Sequence, residues 1–174
     1  MDTILVIVDW FTKMIRLKAT TMNISSEGIA KIYRDEIWKL HGVPRMILSD
    51  RGPQFTSKFM EEFTKVLGTK RKLSTAYHPQ TNGQMERINQ EIGMFLQHYV
   101  NYQQDNWTDW LATAEFSYND KKHMITRRTP FELNFGRHPW KEDLMVQTEI
   151  PWVEEFMKHL QKSWKQATNA MEES

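Results

Sequence analysis

The chain contains no cysteine, which excludes disulfides and thiolate catalysis and fits a reducing compartment. It also lacks a membrane-length apolar run. The longest early one, Ile4 to Val8, is five residues, where a spanning helix needs about 20. Asp2 precedes that run where a secretory leader would carry basic residues. Six histidines occur singly, without ligand spacing among them, which argues against a structural zinc site. There is no internal repeat and no low-complexity tract. The formal net charge is only +1, so any contact with nucleic acid must rest on local patches. These absences lead us to expect an intracellular, soluble protein with no membrane partner and no small-molecule organic cofactor.

What is present suits a packed fold. A length of 174 residues with 40% hydrophobic and 26% charged residues fits one ordinary domain, or a domain with an appended helix. Ile4–Val8 reads as a buried strand and Asp9–Lys13 as a polar turn. Met14–Ala19, with Ile15, Leu17 and Ala19 alternating, reads as the returning half-exposed strand. A helix is predicted from about Ser26 to Leu40, with Ile29, Ile32, Tyr33, Ile37 and Leu40 on one face. Gly42 and Pro44 stop it. Met46–Ser49 is a short buried strand in this reading. Ser57 caps a helix burying Phe59, Phe63, Val66 and Leu67 and ending at Gly68. Lys70–Thr75 is a basic, edge-like strand. The loop Ala76–Gly83 leads into a helix whose apolar stripe is Met85, Ile88, Ile92, Phe95, Leu96 and Tyr99. Asn106 is a candidate cap for a helix through Tyr118. Thr129-Pro130-Phe131-Glu132 has the form of a capping box, with Gly136 as the stop. Strands alternating with helices, then helices alone, define an α/β domain with helical additions.

Two acidic residues stand out. Asp50 follows the apolar run Met46-Ile47-Leu48 inside Ser49-Asp50-Arg51-Gly52-Pro53-Gln54-Phe55. Glu86 lies where the polar stretch Tyr77-His78-Pro79-Gln80-Thr81-Asn82-Gly83-Gln84 turns into a helix, 35 residues separating the two acids. Carboxylates delivered from a strand end and a helix start suit hard divalent cations. Two such ions roughly 3.5–4 Å apart can stabilise the attacking and leaving oxygens of a phosphodiester.

These blocks resemble the catalytic core of integrases from gypsy-type LTR retrotransposons, relatives of the retroviral integrases. The likeness is carried by Ile4 to Lys13, His41-Gly42-Val43-Pro44, Ser49 to Phe55, Tyr77 to Asn89, Ala114 to Asn119, Thr129 to Glu132 and Gly136-Arg137-His138-Pro139. It spans residues 2 to about 140, leaving 141–174 as linker and amphipathic helical tail. The resemblance implies a ribonuclease-H-like core, a mixed sheet flanked by helices. It further implies an Asp–Asp–Glu triad using Mg2+ or Mn2+ to process and join DNA ends, retroelement and target DNA as partners, a homo-oligomer, and a nuclear setting. Asp50 is then the second acid and Glu86 the third.

The first acid does not fall into place. The family has three antiparallel strands before the first helix, the first carrying the Asp, whereas only two precede Ser26 here. Asp9 ends a strand and stands as an alternative first acid, but it falls in the block matching the second strand and its turn. The expectation is therefore that the first, central strand is missing, and that this chain alone is weakly active or inactive. A truncated or domesticated fragment serving DNA binding or oligomerisation is the alternative. By the resemblance, Tyr77, His78, Gln80, Asn82, Gln84, Asn89 and Gln90 are candidates to engage DNA, through phosphates and base edges. Lys70-Arg71-Lys72, Lys121-Lys122 and Arg127-Arg128 are candidate phosphate contacts. The tail stripe Trp152, Phe156, Leu160 and Trp164 suits docking on the domain or on another subunit.

Overall fold

A computed structural model describes residues 1–73, 79–103 and 105–139, with the isolated positions 158 and 162. The tail stripe at Trp152, Phe156, Leu160 and Trp164 lies outside the described residues. In chain order the elements are β1 (Thr3–Val8), β2 (Ile15–Thr20), α1 (Ser26–Tyr33), a π-helical turn (Arg34–Trp38), α2 (Lys39–His41) and β3 (Met46–Ser49). There follow α3 (Pro53–Thr56), α4 (Lys58–Val66), β4 (Lys70–Leu73), α5 (Pro79–Tyr99), a 3-10 turn (Trp107–Trp110), α6 (Leu111–Asp120) and α7 (Pro130–Phe135). Among the described residues β1 pairs only with β2, and β3 only with β4. No strand among them joins the two pairs. The chain forms two compact units, one of Met1–Leu5 with Lys18–Ile88 and one of Val6–Leu17 with Asn89–Ser174.

In the first unit, β3 and β4 run parallel, with Met46 opposite Lys70 and Ser49 opposite Leu73. Parallel strands need a crossover, and α3 and α4 supply it. Thr69 Oγ1 donates to Pro44 O at 3.0 Å and Lys70 N to Arg45 O at 3.0 Å, tying β4 to the entrance of β3. Ser57 caps α4 as expected, its hydroxyl accepting from Met60 N. The N-terminal ends of α1 and α4 meet through the Ser26 and Ser57 hydroxyls, 2.6 Å apart. Tyr33 and Phe63 pack edge to face.

Five expectations are corrected. The inward stripe of α4 is Met60, Phe63, Thr64 and Leu67, while Val66 is 84% exposed and Phe59 is also exposed. Thr64 is accommodated because its hydroxyl donates to the Met60 carbonyl one turn back. Neither β1 nor β3 is fully buried: β1 is only half-buried along its length, and in β3 Met46 and Leu48 are 49% and 42% exposed. They share a face with their partners Lys70 and Lys72, which is exposed too, so only the opposite face is covered. The helix from Ser26 does not keep Leu40 on its inward face. The π turn holds one residue more per turn than α geometry, and beyond it Trp38 and Leu40 are exposed. The loop before α5 is shorter than expected, because the helix already starts at Pro79.

In the second unit, α6 grips the start of β2. The Asn119 side chain, 1% exposed, accepts from Ile15 N at 2.8 Å and donates to Ile15 O at 3.0 Å. One turn earlier, Glu115 accepts from Leu17 N at 2.8 Å and pairs with Arg16 at 2.7 Å. Buried strand edges need partners for their backbone groups, and here two side chains at i and i+4 of a helix provide them. Rings of Phe95, Tyr99 and Trp110 form a chain of contacts with centroids 4.6 and 5.2 Å apart. The Asn106 side chain does not cap the turn; its Oδ1 instead accepts from Asn101 N. Thr129 and Glu132 form the expected capping box, and Gly136 ends α7 at φ 71°. The Thr129 backbone bond is the largest cause holding the Glu132 carboxyl below its ordinary range, His138 and Arg128 adding to it.

Truncating Asn119→Ala strands two buried backbone groups and is expected to cost about 2–4 kcal/mol in urea unfolding. Thr129→Ala, which removes only the cap, should cost about 1 kcal/mol in the same measurement.

Candidate active site

Asp50 sits one residue past the end of β3 and is exposed. Its Oδ1 accepts from Gly52 N at 2.8 Å, an Asx turn that fixes the carboxylate over the strand end. The following segment is held from both sides. Gly52 O accepts from Phe55 N and Thr56 N, and Arg71 of β4 donates to Phe55 O at 2.9 Å. The parallel pairing of β3 with β4 therefore also braces the turn that presents Asp50.

Glu86 lies in α5 and is exposed, while Ile88 is 1% exposed and Ile92 and Phe95 are buried. Ile88, Ile92 and Phe95 recur at helical spacing and pull one side of α5 inward. Glu86, two residues before Ile88, is thereby turned to solvent. Asp50 and Glu86 belong to the same compact unit, and neither forms an ion pair among the described residues.

Asp9 is engaged differently. Its Oδ1 accepts from Phe11 N at 3.0 Å, Thr12 N at 2.6 Å and Thr12 Oγ1 at 2.9 Å. The turn closes through Asp9 N to Met14 O and Lys13 N to Asp9 O, with Lys13 in the left-handed region at φ 64°. The Lys13 ammonium lies 4.4 Å from the Trp10 ring centroid. Burial pushes its pKa down, and the Asp9 charge offsets part of that. In this geometry Asp9 acts as the organiser of a hairpin turn.

Of the candidate DNA-contacting residues, Tyr77 and His78 lie outside the described residues. Gln80 and Asn82 are placed in the first turn of α5. Gln84 is partly buried, and Asn89 and Gln90 are exposed. In the sequence Glu115 and Asn119 stand out only as part of the block Ala114 to Asn119. Their grip on β2 was not foreseen, and a polar pair at i and i+4 on an otherwise apolar helix face was the available signal.

The donors suit a hard divalent cation in kind. Asp50 keeps one oxygen outside its turn bond, and both carboxylates face solvent without a competing cation. Among the described residues, however, no three His, Asp or Glu side chains converge on a common point.

The described residues thus form an α/β arrangement with one acid just past a strand end and another on a long helix. Residues 3–79 match the family described as integrase core domain. The Transposon Tf2-3 polyprotein of Schizosaccharomyces pombe is 33% identical over 132 residues, covering 76% of this chain and 10% of the polyprotein. The chain thus spans about a tenth of the length of the curated relatives it matches. Among solved structures, the catalytic core domain of BIV integrase aligns with TM-score 0.61 and 25% identity, over 76% of this chain and 85% of that one. The HTLV-2 integrase catalytic core domain in complex with magnesium, a trimeric form, aligns at 0.59 and 22% over 74% and 82%. The simian T-cell lymphotropic virus intasome in complex with PP2A regulatory subunit B56 gamma aligns at 0.62 and 23%, over 83% of this chain and 53% of that one. Residues 3–79 thus carry the match to the integrase core domain, and about three quarters of the chain is similar to an LTR-retrotransposon polyprotein and to a retroviral integrase core.

If Asp9 serves the turn, Asp9→Ala should lower stability by about 1–2 kcal/mol through the lost backbone bonds, and Asp9→Asn by much less. Mn2+ titrations of both variants should match the unaltered chain; weaker metal binding in Asp9→Asn would return Asp9 to the metal site.

Proposed function

We propose that this core works within a gypsy-type retrotransposon integrase that trims the ends of element DNA and joins them to target DNA, with Asp50 and Glu86 holding Mg2+ or Mn2+. The observation that carries this reading is the pair of solvent-facing carboxylates, one fixed by an Asx turn at a strand end and the other turned outward by the buried stripe of α5. Bound divalent ions supply charge stabilisation to the attacking and leaving oxygens of the phosphodiester. The chain's own contribution is placement: Gly52 N–H orients Asp50, and Arg71 braces the segment behind it. Asn89 and Gln90 continue the exposed flank of α5 and are suited to phosphate or base contacts beside Glu86. The assembly is a multimer on DNA, as the intasome and trimeric relatives are by their descriptions, and its working place is the nucleus.

A second reading stands beside it, because among the described residues no three His, Asp or Glu side chains are grouped so as to hold a metal ion. On that reading the 174-residue chain by itself binds DNA or its own copies without cutting.

Both are tested by strand-transfer assays with Mn2+ and an oligonucleotide duplex. Joining by the unaltered chain is expected to be weak. Any joining that occurs should fall at least about 100-fold in Asp50→Asn and in Glu86→Gln, since two ligands already leave the geometry slack. Activity untouched by either change overturns the assignment, whereas DNA binding that survives both, without cleavage, supports the second reading.

A further inference from the structure

The connection between α6 and α7, residues 121–128, reads Lys-Lys-His-Met-Ile-Thr-Arg-Arg. Four of its eight residues are cationic and none is acidic, against a net charge of +1 for the whole chain. All of it lies in the second compact unit, whereas the acids proposed above as metal ligands belong to the first.

The loop is built as a rigid stand. At its N-terminal foot Asn119 is buried and locked to the Ile15 backbone. At its C-terminal foot Thr129 is 1% exposed within the capping box. Between them His123 N donates to Arg128 O at 3.0 Å and Arg127 N to His123 O at 2.8 Å. Thr126 Oγ1 donates to Arg128 O at 3.0 Å. Arg127 is held at φ 57°, a left-handed conformation that a non-glycine residue adopts at a cost of about 1 kcal/mol.

The cations on this stand are presented outward. Lys121 reaches Glu91 at 4.0 Å. Lys122, Arg127 and Arg128 are exposed, and none pairs with a carboxylate within ion-pair distance among the described residues. The nearby Glu132 carboxylate is instead engaged by Thr129 N at 3.0 Å and by His138 at 3.0 Å. At the tip Met124 and Ile125 are exposed. A solvated charge run has no use for fixed backbone, a strained arginine and an apolar tip. A surface that meets a polyanion does: preordered cations lose less side-chain freedom on contact, and the apolar tip sheds water against sugar and base edges.

We propose that the 121–128 loop is a second DNA-contacting element, in which Lys122, Arg127 and Arg128 grip duplex phosphates. The inference rests on the reading that the chain works on DNA, and names a further surface for that DNA. Phosphate contacts of this kind act through counterion release, each lowering the log–log salt slope by about 0.9.

The experiment is anisotropy titration of a labelled 30-base-pair duplex by the 174-residue chain between 50 and 200 mM KCl. The triple variant Lys122→Gln, Arg127→Gln, Arg128→Gln should flatten the slope by about 2 to 3 and weaken binding roughly 10- to 500-fold. Arg127→Gly is a second, fold-safe variant: it relieves the left-handed strain, so it should unfold no earlier than the unaltered chain while flattening the slope by about one. A triple variant that folds and keeps the full slope overturns the loop's role while leaving the DNA reading standing. An unaltered chain that shows no duplex binding overturns both. Loss of binding to a polyglutamate peptide, with duplex affinity unchanged, would assign the loop to an acidic protein partner and overturn the proposal.

Discussion

A strand's backbone donors and acceptors must be satisfied on both sides, and much of this molecule can be understood from how that demand is met. The antiparallel hairpin of β1 and β2 satisfies one side of β2. The other side is met by Asn119 and Glu115, whose side chains imitate the ladder of a neighbouring strand. That arrangement fixes α6, and the fixed end of α6 in turn anchors the turn leading to the capping box at Thr129. In the first unit, β3 meets the same demand by pairing with β4, and the Arg71 bond to Phe55 O carries that order into the segment behind Asp50. Secondary structure here is a device for setting polar side chains in place.

The two acids reach solvent by different physical routes. Asp50 is held by a local bond to the backbone two residues on, so its orientation depends on Gly52 and little else nearby. Glu86 owes its position to residues other than itself: Ile88, Ile92 and Phe95 rotate the helix, and the carboxylate follows. One acid is governed by turn chemistry and the other by packing. Substitutions in the core of α5 therefore bear on how Glu86 is presented even where they do not touch it.

The sequence was most informative wherever structure is decided within a few residues. The Ser57 cap, the Thr129–Glu132 box, the Gly136 stop and the Asp9 turn rest on chemistry spanning three or four positions, and each could be read directly. Burial was harder. The periodicity of α4 pointed to Val66, because apolarity alone does not reveal that Thr64 satisfies its hydroxyl inside its own helix. Met46 and Leu48 read as buried because parallel strands usually are, yet exposure depends on which neighbours cover a face. The tie between Asn119 and Ile15 joins positions 104 residues apart, and no local pattern announces it. For the candidate site, the strand-end and helical positions of Asp50 and Glu86 were legible, whereas the brace from Arg71 was not.

The π turn at Arg34–Trp38 has a consequence for what the helix tolerates. It acts as a stored one-residue insertion: a sequence shortened by one position within it could relax to ordinary α geometry. Everything downstream would then rotate by about 100° around the axis, carrying Leu40 to a different bearing before Gly42 ends the helix. The phase of the helix on either side of the turn is thus set by segment length as much as by side-chain identity, and a single deletion would exchange which apolar groups meet water.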